Sequence, residues 1–265
     1  MRPQLTVAFP CFNEESNILR VLAEWDRGLE REVKSYELLV IDNLSEDKTC
    51  RLVEQARKSN RRIRLIRNPT NLGYSGSCLQ ASHHARGRWV IFVDGDGQYR
   101  GVDGLKMWRV LRMDKFGLVI GHRVRRADPT VRKMTAFFFW VLFRLLVGVP
   151  AHDPNVGLRG WKNGDRWLFK YLQPGMPFAN VQLICALRDH GAALGQISIT
   201  HQSRGGGRSF YQFHKLPVVL FEFLKFIITR KNAVGRPYGA PVRLGVSKKG
   251  FSTRCWPDAD TFLEA

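Results

Sequence analysis

Short apolar runs alternate with amphipathic segments along the N-terminal half of the chain, and this alternation restricts the fold more than any other feature. The runs predict strands at residues 5–9, 36–41, 63–66, 89–93 and 118–120. The segments between them have helical spacing: Ile18, Leu22, Trp25 and Leu29 would share one helix face, with Ser16 as N-cap. Ser45 is the expected N-cap of the next helix. Strands that alternate with helices form a mostly parallel sheet flanked by helices. The sequence therefore predicts an α/β fold.

The composition indicates a globular and strongly basic protein. The 265 residues include 42 Lys and Arg against 23 Asp and Glu, which gives a net charge of +19, and 44% of them are hydrophobic. This charge would attract nucleic acid, anionic membranes or phosphorylated substrates. Five cysteines with no C-x-x-C pair indicate neither a disulfide framework nor a zinc ribbon. We expect a cytoplasmic protein that is not secreted.

Polar side chains follow three of the predicted strands at the points where those strands end. The sharpest signal is Asp94-Gly95-Asp96-Gly97-Gln98, directly after the apolar run 89–93. Two carboxylates and an amide oxygen suit a hard cation such as Mg²⁺ or Mn²⁺. Residues 10–15 and 42–49 follow the first two strands in the same way. Because ligands bind beyond the carboxyl ends of parallel strands, the three loops predict one shared site.

Two aromatic segments lie in the second half of the chain. Residues 134–149 contain Arg144 as their only charge and end before Pro150, while residues 216–228 form a second stretch. A spanning helix needs about 20 apolar residues, so the first segment is too short to cross a bilayer. It suits an amphipathic helix at a membrane interface, or an ordinary core or dimer-interface helix. Residues 232–265 are rich in Gly, Pro and basic residues and predict a loosely ordered tail.

The three loops resemble those of family 2 glycosyltransferases, which have the GT-A fold. The family's P-x-x-N-E, D-D-G-S-x-D-x-T and D-x-D motifs match Pro10, Asn13, Glu14, Asp42, Ser45, Asp47, Thr49, Asp94 and Asp96. With Gln98 added, the last motif resembles the D-x-D-x-Q of the dolichol-phosphate mannose synthase and polyprenyl-phosphate glycosyltransferase branch. Three later segments resemble that branch too: 121–123 (G-x-R), 153–159 (D-P-x-x-G-x-R) and 204–209 (R-x-x-G-x-S). The likeness covers residues 4–212.

Several positions depart from the pattern of this branch. Asn43 and Leu44 replace the second Asp and the Gly of the nucleotide loop, which leaves open the base that is read. Phe210 stands where Lys is usual after the R-x-x-G-x-S motif, and Gln182 stands where Glu is common. Ala136 stands where a Ser is found. These changes affect the expected sugar and acceptor more than the expected reaction.

The resemblance implies an inverting, metal-dependent transfer of a sugar, with mannose expected, from a GDP- or UDP-linked donor to a polyprenyl or dolichyl phosphate. It implies a GT-A domain at residues 1–212, with a nucleotide-sugar and metal half (1–121) and an acceptor half (122–212). A membrane-interface helix would follow at 213–231. The enzyme would lie peripherally on the cytoplasmic membrane face, where a further protein could complete its anchor.

The resemblance also assigns roles to single residues. The metal ligands would be Asp94, Asp96 and Gln98, and the donor would contact Pro10, Asn13, Glu14, Asp42, Ser45 and Asp94. The acceptor phosphate would contact Arg123, Arg132, Arg204 and Ser209, since guanidinium groups bind phosphate with two hydrogen bonds. Asp96, Arg123 and Arg204 would be catalytic. Asp153 and Arg159 are expected to form a structural pair.

Three other functions remain open from the sequence. A family 2 enzyme with a soluble or polysaccharide hydroxyl acceptor would need a general base, for which His152 and Asp153 are candidates. A scaffold of the same fold without activity is the second. A basic nucleic-acid-binding protein is the third; it would explain the charge but not the three loops, and we expect no nucleic-acid partner.

Overall fold

The computed structural model describes residues 2–125, 130–172, 174–176, 178–202 and 216–234. The strands are β1 (Leu5–Cys11), β2 (Tyr36–Asp42), β3 (Ile63–Arg67), β4 (Trp89–Val93), β5 (Leu118–Arg125), β6 (Leu158–Lys162) and β7 (Leu194–Thr200). The helices are α1 (Ile18–Glu30), α2 (Thr49–Ser59), α3 (Gly73–His84), α4 (Gly101–Leu111), α5 (Thr130–Val147), α6 (Ala179–His190) and α7 (Leu216–Val234). A short 3-10 helix at Arg166–Phe169 precedes α6.

The seven strands form one mixed sheet in the order β3-β2-β1-β4-β6-β5-β7. Neighbouring strands are parallel in the half of the sheet formed by β3, β2, β1 and β4, and β7 is parallel to β5. β6 is antiparallel to both β4 and β5. The structure confirms the predicted α/β fold, with a mostly parallel sheet flanked by helices. The apolar runs predict neither β6 nor β7, because β6 includes Arg159 and Lys162 and β7 includes Gln196.

The middle of the sheet is buried on both faces. Every residue of β2 and β4 is buried, and so is all of β1 except Pro10. Trp25 of α1 packs edge-on against Phe9 of β1 with ring centroids 5.6 Å apart, and its indole N–H donates to the Tyr99 carbonyl at 3.3 Å. The core therefore fixes the loop that leaves β4 as well as the strands beneath it.

Two helices begin later than the sequence predicts. The spacing favours Ser16 as the N-cap of α1 and Ser45 as the start of α2, but the N-cap positions are Asn17 and Lys48, and neither side chain caps its helix. The predicted caps are therefore wrong. Ser45 instead accepts a hydrogen bond from the Asn13 backbone N–H at 3.0 Å. The loop after β2 is held by the loop after β1, which is a contact that local sequence does not reveal.

The aromatic helices α5 and α7 pack on the body of the protein and on each other. Phe139 of α5 lies against Phe223 of α7, with ring centroids 5.3 Å apart, and Phe143 and Phe223 are fully buried. The outer sides of the two helices leave large apolar residues exposed: Met134, Phe137, Phe138, Leu145, Val218, Leu220, Phe221, Leu224 and Ile228. Among the described residues, no helix is both long enough and apolar enough to cross a membrane.

Candidate active site at the carboxyl edge of the sheet

The three polar loops of the sequence meet at one edge of the sheet, as predicted. β1 lies between β2 and β4, and Cys11 at the end of β1 is in register with Asp42 at the end of β2. Asp94 follows directly after the last residue of β4. The strand order reverses around β1, because the chain adds β2 and β3 on one side and β4 on the other. Such a switch point is where open α/β sheets bind ligands.

The loops after β1 and β2 are joined by reciprocal hydrogen bonds. Asn13 receives the Glu46 backbone N–H on its side-chain oxygen at 2.9 Å, and its own N–H is bonded to Ser45 Oγ. The Glu14 N–H donates to Thr49 Oγ1 at 2.8 Å. Asn13 has a left-handed backbone conformation with φ of 57°, which Asn adopts more readily than most residues. Asn13 and Ser45 are both predicted to bind the sugar donor, and the hydrogen bond between them holds the rim of the site in place.

Asp42 supplies a buried carboxylate at the end of β2. Its side chain is fully buried; Oδ1 accepts the Ser45 N–H at 3.2 Å, and Oδ2 lies 3.3 Å from Nε of Arg67. Arg67, at the end of β3, is about half exposed. A carboxylate can accept from an N–H of a planar ring, while the guanidinium beside it donates to a carbonyl oxygen of the same ring. Sequence reasoning selected Asp42 and missed Arg67, because Arg67 falls outside the motifs.

The two departures in the nucleotide loop have structural explanations. The Asn43 side-chain oxygen accepts from Asn68 Nδ2 at 3.0 Å and the Leu72 N–H at 2.9 Å, and its NH₂ group donates to Asn71 at 2.6 Å. Asn43 therefore ties the loop after β2 to the loop between β3 and α3. Leu44 has φ of 65°, a left-handed conformation that favours glycine, and the family has Gly at this position.

The loop after β4 places two acidic side chains next to each other. Burial and, second, the negative charge of Asp96 raise the pKa of Asp94 to about 7. Oδ1 of Asp94 accepts a hydrogen bond from the Tyr74 hydroxyl at 2.8 Å, and a side chain at Gly157 would collide with Oδ2. Two carboxylates that oppose each other's ionisation are a suitable pair of ligands for a divalent cation, because the cation would remove their repulsion.

Gln98 is held by two hydrogen bonds to Gln202. Its Nε2 donates to the Gln202 carbonyl at 3.1 Å, and the Gln202 N–H donates to the Gln98 carbonyl at 3.0 Å. With the NH₂ group used in this way, the side-chain oxygen is the atom left to bind a cation. The described part of the chain has no group of three or more His, Cys, Asp and Glu suited to a metal. If a divalent cation binds here, Asp94, Asp96 and the Gln98 amide oxygen are its candidate ligands, and a set of oxygen ligands suits Mg²⁺ or Mn²⁺.

Arg123 is held by a buried acid. Its Nε and Nη2 donate to the two oxygens of Asp153 at 2.6 and 3.0 Å, and the two side chains are 11% and 3% exposed. The expected pair between Asp153 and Arg159 is therefore wrong. The sequence suggested that pair because both residues belong to one motif, whereas the sheet brings Arg123 of β5 to Asp153. An acceptor phosphate would have to share Arg123 with this carboxylate.

The other predicted acceptor residues are not placed by the structure. Arg132 lies in α5, but its side chain lies outside the described residues, as do Arg204 and Ser209 with all of 203–215. The chain reaches that segment from Gln202, which is bonded to Gln98. Gln182, on α6, is buried, and neither end of its side-chain amide has a hydrogen-bond partner within the described residues. His152, a candidate base, stacks on His122 with ring centroids 4.8 Å apart.

Two residues lie beneath the loop after β4: Tyr74, which sequence reasoning missed, and Arg159, which it paired with Asp153 instead. Tyr74 is in the first turn of α3 and Arg159 is in β6. Nη2 of Arg159 donates to the Tyr74 hydroxyl at 2.5 Å, and the Tyr74 hydroxyl in turn bonds to Asp94. Tyr74 follows the segment Asn71-Leu72-Gly73 and lies outside all of the matched motifs, so the sequence gives no signal for it.

Comparison with known proteins identifies the family of the chain. A family model described as Glycosyl transferase family 2 matches residues 6–163, which is more than half of the sequence. A dolichyl-phosphate beta-glucosyltransferase of Trichomonas vaginalis is 32% identical over 141 residues, which is 49% of this chain and 43% of that protein. The chain spans about half the length of several curated relatives that it matches.

One relative matches over a longer stretch, and solved structures share the fold. A dodecaprenyl-phosphate galacturonate synthase of Rhizobium johnstonii is 24% identical over 243 residues, which is 89% of this chain and 71% of that protein. A mannosyltransferase from Pyrobaculum calidifontis, solved in complex with GDP-Man and Mn²⁺, superposes with a TM-score of 0.62 at 19% identity. That superposition covers 89% of this chain and 66% of the solved one, and it shows a shared fold.

Proposed function

The chain belongs to glycosyl transferase family 2, and from that membership we propose that it transfers a sugar from a nucleoside diphosphate sugar to a polyprenyl phosphate, with inversion at the anomeric carbon. The observation that carries the proposal is the meeting of Asp42, Asp94 and Asp96 at the carboxyl edge of three adjacent strands. Two relatives are named for dolichyl phosphate and dodecaprenyl phosphate, which are acceptors of this class.

The donor would lie across the loops after β1, β2 and β4. Asp42 and Arg67 would read the base, and Pro10, Asn13, Glu14 and Ser45 would form the rim beside it. The diphosphate would lie toward Asp94, Asp96 and Gln98. A Mg²⁺ or Mn²⁺ ion held there would neutralise the diphosphate and stabilise the charge that develops on the leaving group. This placement supports either a GDP- or a UDP-linked donor, and mannose remains the sugar proposed.

The acceptor would enter from the side of β5. A lipid phosphate is already an anion near neutral pH, so the protein needs cationic groups to hold it more than a base to deprotonate it. Arg123 lies partly buried at this edge and is paired with Asp153, whose carboxylate fixes the guanidinium plane. We assign Arg132, Arg204 and Ser209 to the same phosphate. Asp153, tied to Arg123, is poorly placed to serve as a general base, which favours a phosphate acceptor over a hydroxyl acceptor.

The exposed faces of α5 and α7 would place the enzyme on a membrane. A polyprenyl chain stays in the bilayer while its phosphate reaches the protein. Phe138 and Phe221 are 66% and 63% exposed, and their helices pack together. The +19 charge would add attraction to anionic lipid. We therefore propose a peripheral enzyme on the cytoplasmic membrane face, with or without a partner protein that completes the anchor.

A donor scan tests the proposed function. Purified protein is incubated with Mn²⁺ or Mg²⁺, a short polyprenyl phosphate and labelled GDP-mannose, UDP-glucose or UDP-N-acetylglucosamine, and the label is then extracted into organic solvent. We expect one donor to label the lipid in a metal-dependent way, and Asp96→Ala to abolish the labelling. If a donor is bound or hydrolysed but lipid is never labelled, the acceptor assignment to Arg123, Arg132, Arg204 and Ser209 is wrong.

A further inference from the structure

A chain of two hydrogen bonds connects a buried arginine to a carboxylate of the metal loop. Arg159 Nη2 lies 2.5 Å from the Tyr74 hydroxyl oxygen, which lies 2.8 Å from Asp94 Oδ1. A guanidinium has only donors. The Tyr74 oxygen therefore accepts from Arg159, and its proton is directed to Asp94.

Arg159 is a buried cation that forms no ion pair among the described residues. It is 1% exposed; Nη2 also donates to the Val156 carbonyl at 2.8 Å, while Nε and Nη1 have no hydrogen-bond partner. A buried charge without an opposite charge destabilises a fold strongly. The Tyr74 hydroxyl links this cation to a negative charge, because it accepts from Arg159 and donates to the Asp94 carboxylate.

The surroundings leave the Asp94 carboxylate little freedom. Tyr74 holds Oδ1, and Gly157 leaves just enough room for Oδ2 because any side chain there would collide with it. The Tyr74 ring is itself fixed edge-on against Phe92 of β4, with centroids 5.4 Å apart, and by the Arg159 guanidinium 5.4 Å from its centroid. Three separate elements, α3, β4 and β6, thus set one carboxylate orientation.

We propose that Tyr74 is a positioning residue of the cation site, which holds Asp94 in the orientation that binds the divalent ion, and that Arg159 fixes the Tyr74 hydroxyl for this purpose. The inference rests on the proposed function in one respect, since it takes Asp94 as a cation ligand. Groups that hydrogen-bond to metal ligands orient them, and their removal typically weakens metal binding by about 10- to 100-fold.

The chain contains a matched control for this arrangement. Tyr36, at the start of β2, also lies between an arginine and an aspartate: Arg62 donates to its oxygen at 3.1 Å, and its hydroxyl donates to Asp26 at 2.6 Å. Tyr36 is at the opposite end of its strand from Asp42. Tyr36→Phe thus removes the same chemical group from the same kind of contact, far from the metal loop.

Binding of Mn²⁺ to the full chain, followed by electron paramagnetic resonance with GDP, UDP or no nucleotide, tests the proposal. We expect Tyr74→Phe to raise the Kd for Mn²⁺ by about tenfold or more, while Tyr36→Phe leaves it unchanged. Transfer activity of Tyr74→Phe should return toward the wild-type rate at excess Mn²⁺. Should Tyr74→Phe unfold, Arg159→Lys tests the same contact and should weaken Mn²⁺ binding severalfold.

The outcomes separate this inference from the proposed function. Equal Mn²⁺ affinity in Tyr74→Phe and the wild type overturns the positioning role, whatever the transfer assay shows. A wild-type protein that binds no Mn²⁺ overturns the inference together with the metal requirement. A raised Kd for Mn²⁺ in Tyr74→Phe supports the inference even when no polyprenyl phosphate is labelled. In that case only the acceptor assignment fails.

Discussion

Arg123 and Asp153 form an ion pair with two hydrogen bonds, of 2.6 and 3.0 Å, and both side chains are almost fully buried. The pair connects β5 to the segment that leads into β6, at the edge of the sheet where the site lies. Removal of one member of such a pair leaves a buried charge without its partner. The pair therefore contributes to stability as well as to the position of Arg123.

Asp153→Ala should lower the free energy of unfolding by about 3–5 kcal/mol, because it removes the buried carboxylate that accepts two hydrogen bonds from the Arg123 guanidinium. Urea unfolding followed by circular dichroism measures the change. Glu54→Ala, which breaks the exposed pair with Arg57, is the control and should cost less than about 1 kcal/mol. An equally small loss of unfolding free energy in both variants would show that the Arg123–Asp153 pair stabilises the fold no more than an exposed pair does.

At position 44, a Gly variant should be more stable than an Ala variant, which reverses the usual order of the two residues. With φ of 65°, the backbone of Leu44 is strained for any residue with a side chain. Leu44→Gly should therefore be more stable than Leu44→Ala by about 1 kcal/mol. The comparison removes the same leucine side chain in both variants, so the difference in unfolding free energy reports the backbone alone. A more stable Ala variant would contradict the left-handed conformation.

Asp103 should make stability depend on pH. Burial raises the pKa of this carboxyl group, although Lys106 and the Thr200 hydroxyl oppose the shift. A raised pKa means that the folded protein binds the proton more tightly than the unfolded chain, so stability falls as pH rises through that pKa. Asp103→Asn cannot ionise and keeps an acceptor for Thr200. Its Tm should exceed that of the wild type at neutral pH, and the difference should vanish below the ordinary Asp pKa of 3.8. A variant that is less stable at every pH would contradict this.

The apolar faces of α5 and α7 should bind lipid. The double variant Phe138→Ser and Phe221→Ser should reduce co-sedimentation with anionic vesicles by about tenfold or more, since each exposed ring would lose its transfer into the interface. Its Tm should change little, because both side chains point away from the core. Leu19→Ser, which changes an exposed leucine of α1, is the control and should bind vesicles like the wild type. If the double variant binds vesicles as well as the wild type, the exposed faces of α5 and α7 are not the membrane-binding surface.

The sequence was sufficient to predict the strands that carry the site, and the reason is local. Each of β1, β2 and β4 is a compact apolar run, and each is followed within two residues by a polar side chain. β1 and β2 extend slightly beyond the predicted ends, because Pro10, Cys11 and Asp42 continue the sheet pairing that apolar patterning cannot show. The shared edge followed from the general geometry of parallel sheets, which needs no knowledge of side-chain contacts.

The contacts missed by the sequence are all long-range. Arg123 is 30 residues from Asp153, and Tyr74 is 85 residues from Arg159. Sequence periodicity cannot reveal either pair. The members of each pair come together because β6 inserts between β4 and β5 in the sheet. β6 itself escaped prediction because a buried arginine, a glycine and a lysine interrupt its apolar pattern. The supporting groups of the site were therefore visible only in the fold.

The most direct test of the central claim compares two acceptors that differ in one group. Labelled donor, Mn²⁺ and protein are given either a short polyprenyl phosphate or the free polyprenol of the same length, and the lipid product is analysed by mass spectrometry. Our account predicts a sugar joined through phosphate to the first lipid and no product from the alcohol, with Asp96→Ala inactive on both. Transfer to the alcohol, or to a water-soluble hydroxyl compound in place of either lipid, would contradict it.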